Sequence, residues 1–158
     1  MHQSASGGTS NSVAVTLVPT LTFNPSQMSW STTAPLPTAL TGLRAVAVPG
    51  TTTASAFAVV TGGYNGLANT STVWSIALNQ DGTVGSTTDP LWTTTVNAPL
   101  PTTLAHHAMA EADDTNSLVP LGQRFIYAIG GQVNATDQAG SNKVYVANVN
   151  SSTGLVGT

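Results

Sequence analysis

Two short apolar runs constrain this chain more than anything else in it. Ala56-Phe57-Ala58-Val59-Val60-Thr61 ends in Gly62-Gly63, and Arg124-Phe125-Ile126-Tyr127-Ala128-Ile129 ends in Gly130-Gly131. A run of five or six residues rich in Phe, Val, Ile and Tyr is too short for a helix and favours a buried strand. The glycine pair that closes each run marks a tight turn. Two copies of one pattern in one chain point to a repeat, which has to be settled before the fold is read.

The flanks repeat as well. A polar loop follows each glycine pair and leads to Thr72-Val73-Trp74-Ser75-Ile76-Ala77-Leu78-Asn79 in one copy and Lys143-Val144-Tyr145-Val146-Ala147-Asn148-Val149-Asn150 in the other. Each of these segments carries an aromatic near its start and ends on Asn. Upstream, Trp30 precedes Pro35-Leu36-Pro37-Thr38, and Trp92 precedes Pro99-Leu100-Pro101-Thr102. The two Trp are 62 residues apart and the glycine pairs 68, a difference that loops absorb at little entropic cost. A partial third copy opens the chain, where Ser10-Asn11-Ser12-Val13-Ala14-Val15 resembles Ser141-Asn142-Lys143-Val144-Tyr145-Val146. The unit therefore holds four apolar segments bounded by Gly, Pro, Asn or Ser, the pattern expected of strands.

An apolar strand ending in Gly-Gly, then a Trp or Tyr strand, then a Trp before the next strand, resembles the kelch repeat of β-propellers. The resemblance covers about Asn11 to Thr158. It implies an all-β chain built of blades, each a four-stranded antiparallel sheet. On that reading residues 1–10 form a polar N-terminal arm and 11–34 the last strands of a preceding blade. Residues 35–96 form a first full blade, and 97–158 a second whose outer strand is incomplete. Strands are expected at Val13–Val18, Leu21–Trp30, Leu43–Val48, Phe57–Thr61, Val73–Leu78, Thr83–Val96 (interrupted near Asp89-Pro90), Ala105–Ala112, Phe125–Ile129 and Val144–Val149. Two blades do not close a ring that usually has four to eight, so the expected partners are other copies of the chain or further blades.

Composition narrows the function classes. Charged residues make up 6% of the 158, against about 25% in an average soluble domain. The three cations, Arg44, Arg124 and Lys143, are dispersed and the formal charge is −3. A nucleic-acid face needs clustered cations to displace phosphate counterions, so no nucleic-acid partner is expected. There is no cysteine, hence no disulfide frame, thiolate metal site or cysteine nucleophile. No apolar run approaches the roughly 20 residues of a transmembrane helix. The Thr-, Ser- and Asn-rich texture resembles secreted and cell-surface β proteins and points to an extracellular location.

Few residues invite a chemical reading. His106-His107 is the one adjacent imidazole pair; on a strand the two would point to opposite faces, which does not suit joint metal ligation. Glu111, Asp113 and Asp114 form the one acidic cluster, without the alternating spacing of a calcium loop. Gly62, Gly63, Gly130 and Gly131 lack the Gly-Lys-Ser/Thr and the following helix of a phosphate loop; their expected role is turning the backbone at positive φ. Trp30, Trp74, Trp92 and Tyr145 are expected where blades pack together rather than on a sugar-stacking surface. No catalytic residue, metal ligand or cofactor site is assigned. The sequence favours a non-catalytic extracellular module for assembly or for protein or glycan binding. The alternatives are a structural subunit of a surface layer or filament and a piece of a secreted carbohydrate-active or oxidative enzyme.

Overall fold

In the computed structural model the described residues are 30, 32–51, 56–85, 91–94, 96–113, 123–136 and 140–157. The chain divides into two units, Met1–Ser31 and Thr32–Thr158. In the first, Trp30 is described, and its ring is exposed. The expected strands at Val13–Val18 and Leu21–Trp30 otherwise lie outside the described residues.

The second unit is all β, with no helix among its described residues. Its strands are β1 (Arg44–Pro49), β2 (Ala56–Thr61), β3 (Val73–Leu78), β4 (Ala108–Asp113), β5 (Gln123–Ile129), β6 (Val144–Asn150) and β7 (Val156–Gly157). They form two antiparallel sheets, ordered β1-β2-β3 and β4-β5-β6-β7. Both glycine-closed runs are central strands, as their apolar character on both faces requires. β1 ends on Pro49 and occupies a sheet edge, where a missing N–H breaks no ladder bond. The segment expected as a strand from Thr83 to Val96 is reduced, among its described residues, to single bridges, Val84 to Leu78 and Thr93 to Ser75. The polar turn at Asp81-Gly82-Thr83 diverts the chain: Asp81 Oδ1 accepts from both the N–H and the hydroxyl of Thr83, at 3.0 and 2.7 Å. In the second sheet the corresponding turn, Ser151 to Gly154, delivers β7 instead.

The two sheets share one hydrogen-bond register. Thr61 pairs with Arg44 and Val73; Ile129 pairs with Ala108 and Val144. Beyond the strands, Thr41 and Tyr64 exchange both backbone bonds, and so do Ala105 and Gln132. Gly62 N donates to Thr72 O as Gly130 N donates to Lys143 O. The internal repeat is therefore structural, not only compositional.

The alternating faces of each strand decide what the sheets bury. One face of the first sheet brings Val48, Val59 and Val73 against Ile126, Val149 and Val156 of the second, with Val46, Leu100, Met109 and Ala147 at the margin. The sheets approach most closely along β1 and β4. Phe57 reaches across to Gly154, whose bare α-carbon makes room for the ring: a Cβ there would fall 2.3 Å from Phe57 Cδ1. The opposite face of the first sheet carries Val60, Trp74 and Ile76, all buried. The opposite face of the second sheet is different. It carries Ala108, Ala110, Phe125, Tyr127, Ile129, Val144 and Val146, and of these Ile129, Val144 and Val146 are 41%, 59% and 60% exposed.

Candidate functional site

The two glycine pairs lie just past the C-terminal ends of β2 and β5, and Gly62, Gly63, Gly130 and Gly131 have φ of 59°, 107°, 66° and 94°. That conformation is open to glycine and strained for most L-residues. At the first pair the chain meets the second sheet: Gly63 N donates to Leu104 O at 2.7 Å, and Leu104 N donates to Thr70 O at 2.9 Å. The aromatic positions diverge. Trp74 is buried on β3 and Tyr145 half-buried on β6, at the same register position of the repeat. Trp92 is half-buried outside the strands, its indole N–H donating to Ala34 O at 3.4 Å. Trp30 is 96% exposed.

The two histidines separate sharply, and strand alternation is not the cause. Both precede β4. His106 has φ of 56°, the one positive-φ residue other than glycine among the described residues. Its ring is exposed and lies over Gly42, where a Cβ would come within 2.6 Å of the imidazole. His107 is 1% exposed. Its Nε2 is 2.7 Å from Thr61 Oγ1, and the Thr61 hydroxyl donates to Met109 Sδ at 3.0 Å. Nδ1 of His107 is buried without a partner among the described residues; an orphaned acceptor costs less than an orphaned N–H, which favours the tautomer whose Nε2–H donates to Thr61.

Both groups of this hydroxyl–imidazole pair are buried, and among the described residues no carboxylate orients the ring, so the pair lacks the accessible, carboxylate-oriented geometry of a nucleophile and base. Burial pushes the His107 pKa down to about 4, with Arg44 and His106 adding repulsion. The folded state takes up the proton less readily than the unfolded chain, so His107 favours folding fully above about pH 6.5. That contribution is lost as pH falls from about 6.5 to 4. His107→Gln should flatten this part of the stability profile. Urea titrations at pH 7, 5.5 and 4.5 check it: the wild type should weaken by roughly 2–3 kcal/mol across the window and the variant by much less. An equal decline in both would show that other groups set the acid sensitivity.

Of the acidic cluster, Glu111 and Asp113 lie on β4. Glu111 is half-buried and pairs with Arg124 Nη1 at 3.0 Å across β4 and β5. Asp114 lies outside the described residues. No group of three or more His, Asp or Glu able to hold a metal ion occurs among the described residues.

Two clefts remain. An apolar one of about 320 Å³ opens between the sheets, lined by Leu100, Met109, Ile126, Tyr145, Ala147 and Val156 among others. A polar one of about 150 Å³ lies beside the glycine turns, lined by Thr41, Tyr64, Asn69, His106, Gln132 and Ala135. Reading the histidines as a strand pair missed the second cleft. The signal was present: aligning Pro35-Leu36-Pro37-Thr38 with Pro99-Leu100-Pro101-Thr102 and reading on sets Gly42 against His106. The sequence reading also missed Asn97, a buried loop residue that joins the sheets. Its Nδ2 donates to Ser75 Oγ at 3.1 Å and to Thr93 O at 3.0 Å, and its Oδ1 accepts from Val156 N at 2.9 Å. Nothing in its sequence neighbourhood marks it.

Comparison with known proteins finds no family that matches the chain and no curated relative. No helix among the described residues is long and apolar enough to cross a membrane.

Proposed function

We propose that this chain is a non-catalytic extracellular β-propeller module of the kelch type, whose work is assembly through the faces of its sheets. The observation that carries this reading is the outer face of the second sheet. Its positions correspond in register to those by which the first sheet packs on the second: Val46 to Ala110, Val48 to Ala112, Val59 to Tyr127 and Val73 to Val144. In the first sheet Val48, Val59 and Val73 are buried. In the second the same face is uncharged and largely apolar, and Val144 is 59% exposed. Contiguous exposed apolar surface of this kind marks an interaction site.

A backbone group agrees. Gly63 N–H donates across the sheets to Leu104 O. The corresponding N–H, that of Gly131, has no acceptor among the described residues. A further sheet of the same repeat, packed as the second packs on the first, would cover the apolar face and supply that acceptor. Close approach along β1 and β4 suits strands nearest a propeller axis. The extracellular placement rests on the low charge and the Thr- and Ser-rich composition.

Sedimentation at tens of micromolar tests the assembly. The expected result is particles well above the 16.0 kDa of one chain. Val144→Glu/Val146→Glu should return them to monomers, because burying two carboxylates per face is strongly unfavourable. A wild type that stays monomeric and folds cooperatively at that concentration would overturn the reading.

A further inference from the structure

The conformation of His106 points to a ligand. Thr41 and Ala105 are equivalent in the repeat, each exchanging backbone bonds with the residue after a glycine pair, Tyr64 and Gln132. The next position is Gly42 in one copy and His106 in the other, with φ of 63° and 56°. The fold demands a left-handed residue here, and in the first copy glycine meets the demand. The second copy holds an imidazole at the same φ, a conformation that costs an L-residue stability. Strain of this kind persists where a side chain serves a site.

The ring is not consumed by the core. It lies over Gly42, remains exposed, and forms a wall of the polar cleft. The other walls are held in place. Tyr64 OH donates to Gly66 O at 2.7 Å, and Asn69 Nδ2 donates to Gln132 O at 2.8 Å. These bonds fix the phenol ring and set the direction of the Asn69 side-chain carbonyl. Among the described residues no Asp, Glu, Lys or Arg lines the cleft, which disfavours a charged ligand. Its volume of about 150 Å³ falls below the roughly 300–1,000 Å³ of a site for a drug-sized molecule and suits a single ring.

We propose that this cleft is a carbohydrate subsite, in which His106, Asn69, Thr41 and Tyr64 bind one neutral sugar unit of a glycan. An aromatic ring, an imidazole, an amide and a hydroxyl around a small uncharged hollow match the alternating C–H and O–H groups of a pyranose. The inference is independent of the assembly reading, because it rests on this cleft and is measured by binding rather than by particle mass.

The test uses the isotopically labelled 158-residue chain and nuclear magnetic resonance. Maltohexaose, cellohexaose, xylohexaose and chitohexaose are titrated separately, with an uncharged Gly-Ser peptide as the rival probe. At least one oligosaccharide should give saturable shifts centred on Thr41, Tyr64, Asn69, His106 and Gln132. His106→Gly relieves the strained backbone, so its melting temperature should match or exceed that of the wild type while its affinity falls at least tenfold. Three results would each overturn the proposal: no saturable shift with any of the four sugars, saturation by the peptide alone, or a His106→Gly variant that binds normally. A lowered melting temperature, or failure of that variant to fold, would also overturn it, by making the imidazole a packing element.

Discussion

Gly62→Ala is expected to destabilise the protein by on the order of 4 kcal/mol, whereas Gly130→Ala, at the equivalent repeat position, costs about 1–2 kcal/mol. Both glycines have positive φ, 59° and 66°, so both alanines meet the same left-handed penalty. Their surroundings differ. A Cβ on Gly62 would fall 2.2 Å from the carbonyl oxygen of Leu104. That oxygen belongs to backbone and already accepts from Gly63 N at 2.7 Å. Relief therefore requires the sheets to separate locally and that bond to break. A Cβ on Gly130 would find its nearest neighbour, Ser141 O, at 3.4 Å, close to ordinary contact. Urea denaturation of the two variants side by side measures the difference. Equal losses would mean that left-handed strain alone governs these turns and that the approach of Leu104 to the first pair is unimportant.

That contrast shows which parts of the fold could be read from the residues. Phe57–Thr61 and Phe125–Ile129 were legible as strands because a central strand needs apolar side chains on both faces and a hard stop. Gly62-Gly63 and Gly130-Gly131 supply the stop. Val73–Leu78 and Val144–Val149 were legible from the repeat: each follows a polar loop after a glycine pair, carries an aromatic near its start and ends on Asn. The Thr83–Val96 strand was not, because its pairing depends on how far the Asp81–Thr83 turn throws the chain. That turn is set by side-chain bonds to a single carboxylate. The polar cleft was hidden for another reason. Adjacent histidines before a strand read as alternating strand residues unless the repeat is aligned position by position, and only that alignment exposes His106 at a glycine site. The unequal packing of Gly62 and Gly130 was beyond sequence altogether, since it depends on which sheet has a neighbour.

Asn97→Ala should cost about 3 kcal/mol, because it removes the polar bridge between the two sheets. The side chain is buried and all three of its polar contacts are internal. It donates to Ser75 Oγ and Thr93 O, and accepts from Val156 N. Val156 is 2% exposed, so water does not replace the lost acceptor without opening the structure. Each buried group left unpaired costs about 1–3 kcal/mol. The loss falls unevenly. β7 is two residues long, and its pairing with β6 is short, so the Asn97 bond is a large part of what holds it. Ser75→Ala is the graded control. It removes one bond and leaves Asn97 Nδ2 donating to Thr93 O, so it should cost about 1 kcal/mol. Hydrogen exchange separates local from global effects. In the wild type the Val156 amide should exchange about as slowly as the amides of β5. In Asn97→Ala it should exchange at least a hundredfold faster, by more than the global loss of stability moves the amides of β2. Protection at Val156 that falls only in step with β2 would show that the strand is held by Ala98 N donating to Val156 O, at 2.9 Å, and by packing of Val156 on Val149 rather than by the asparagine.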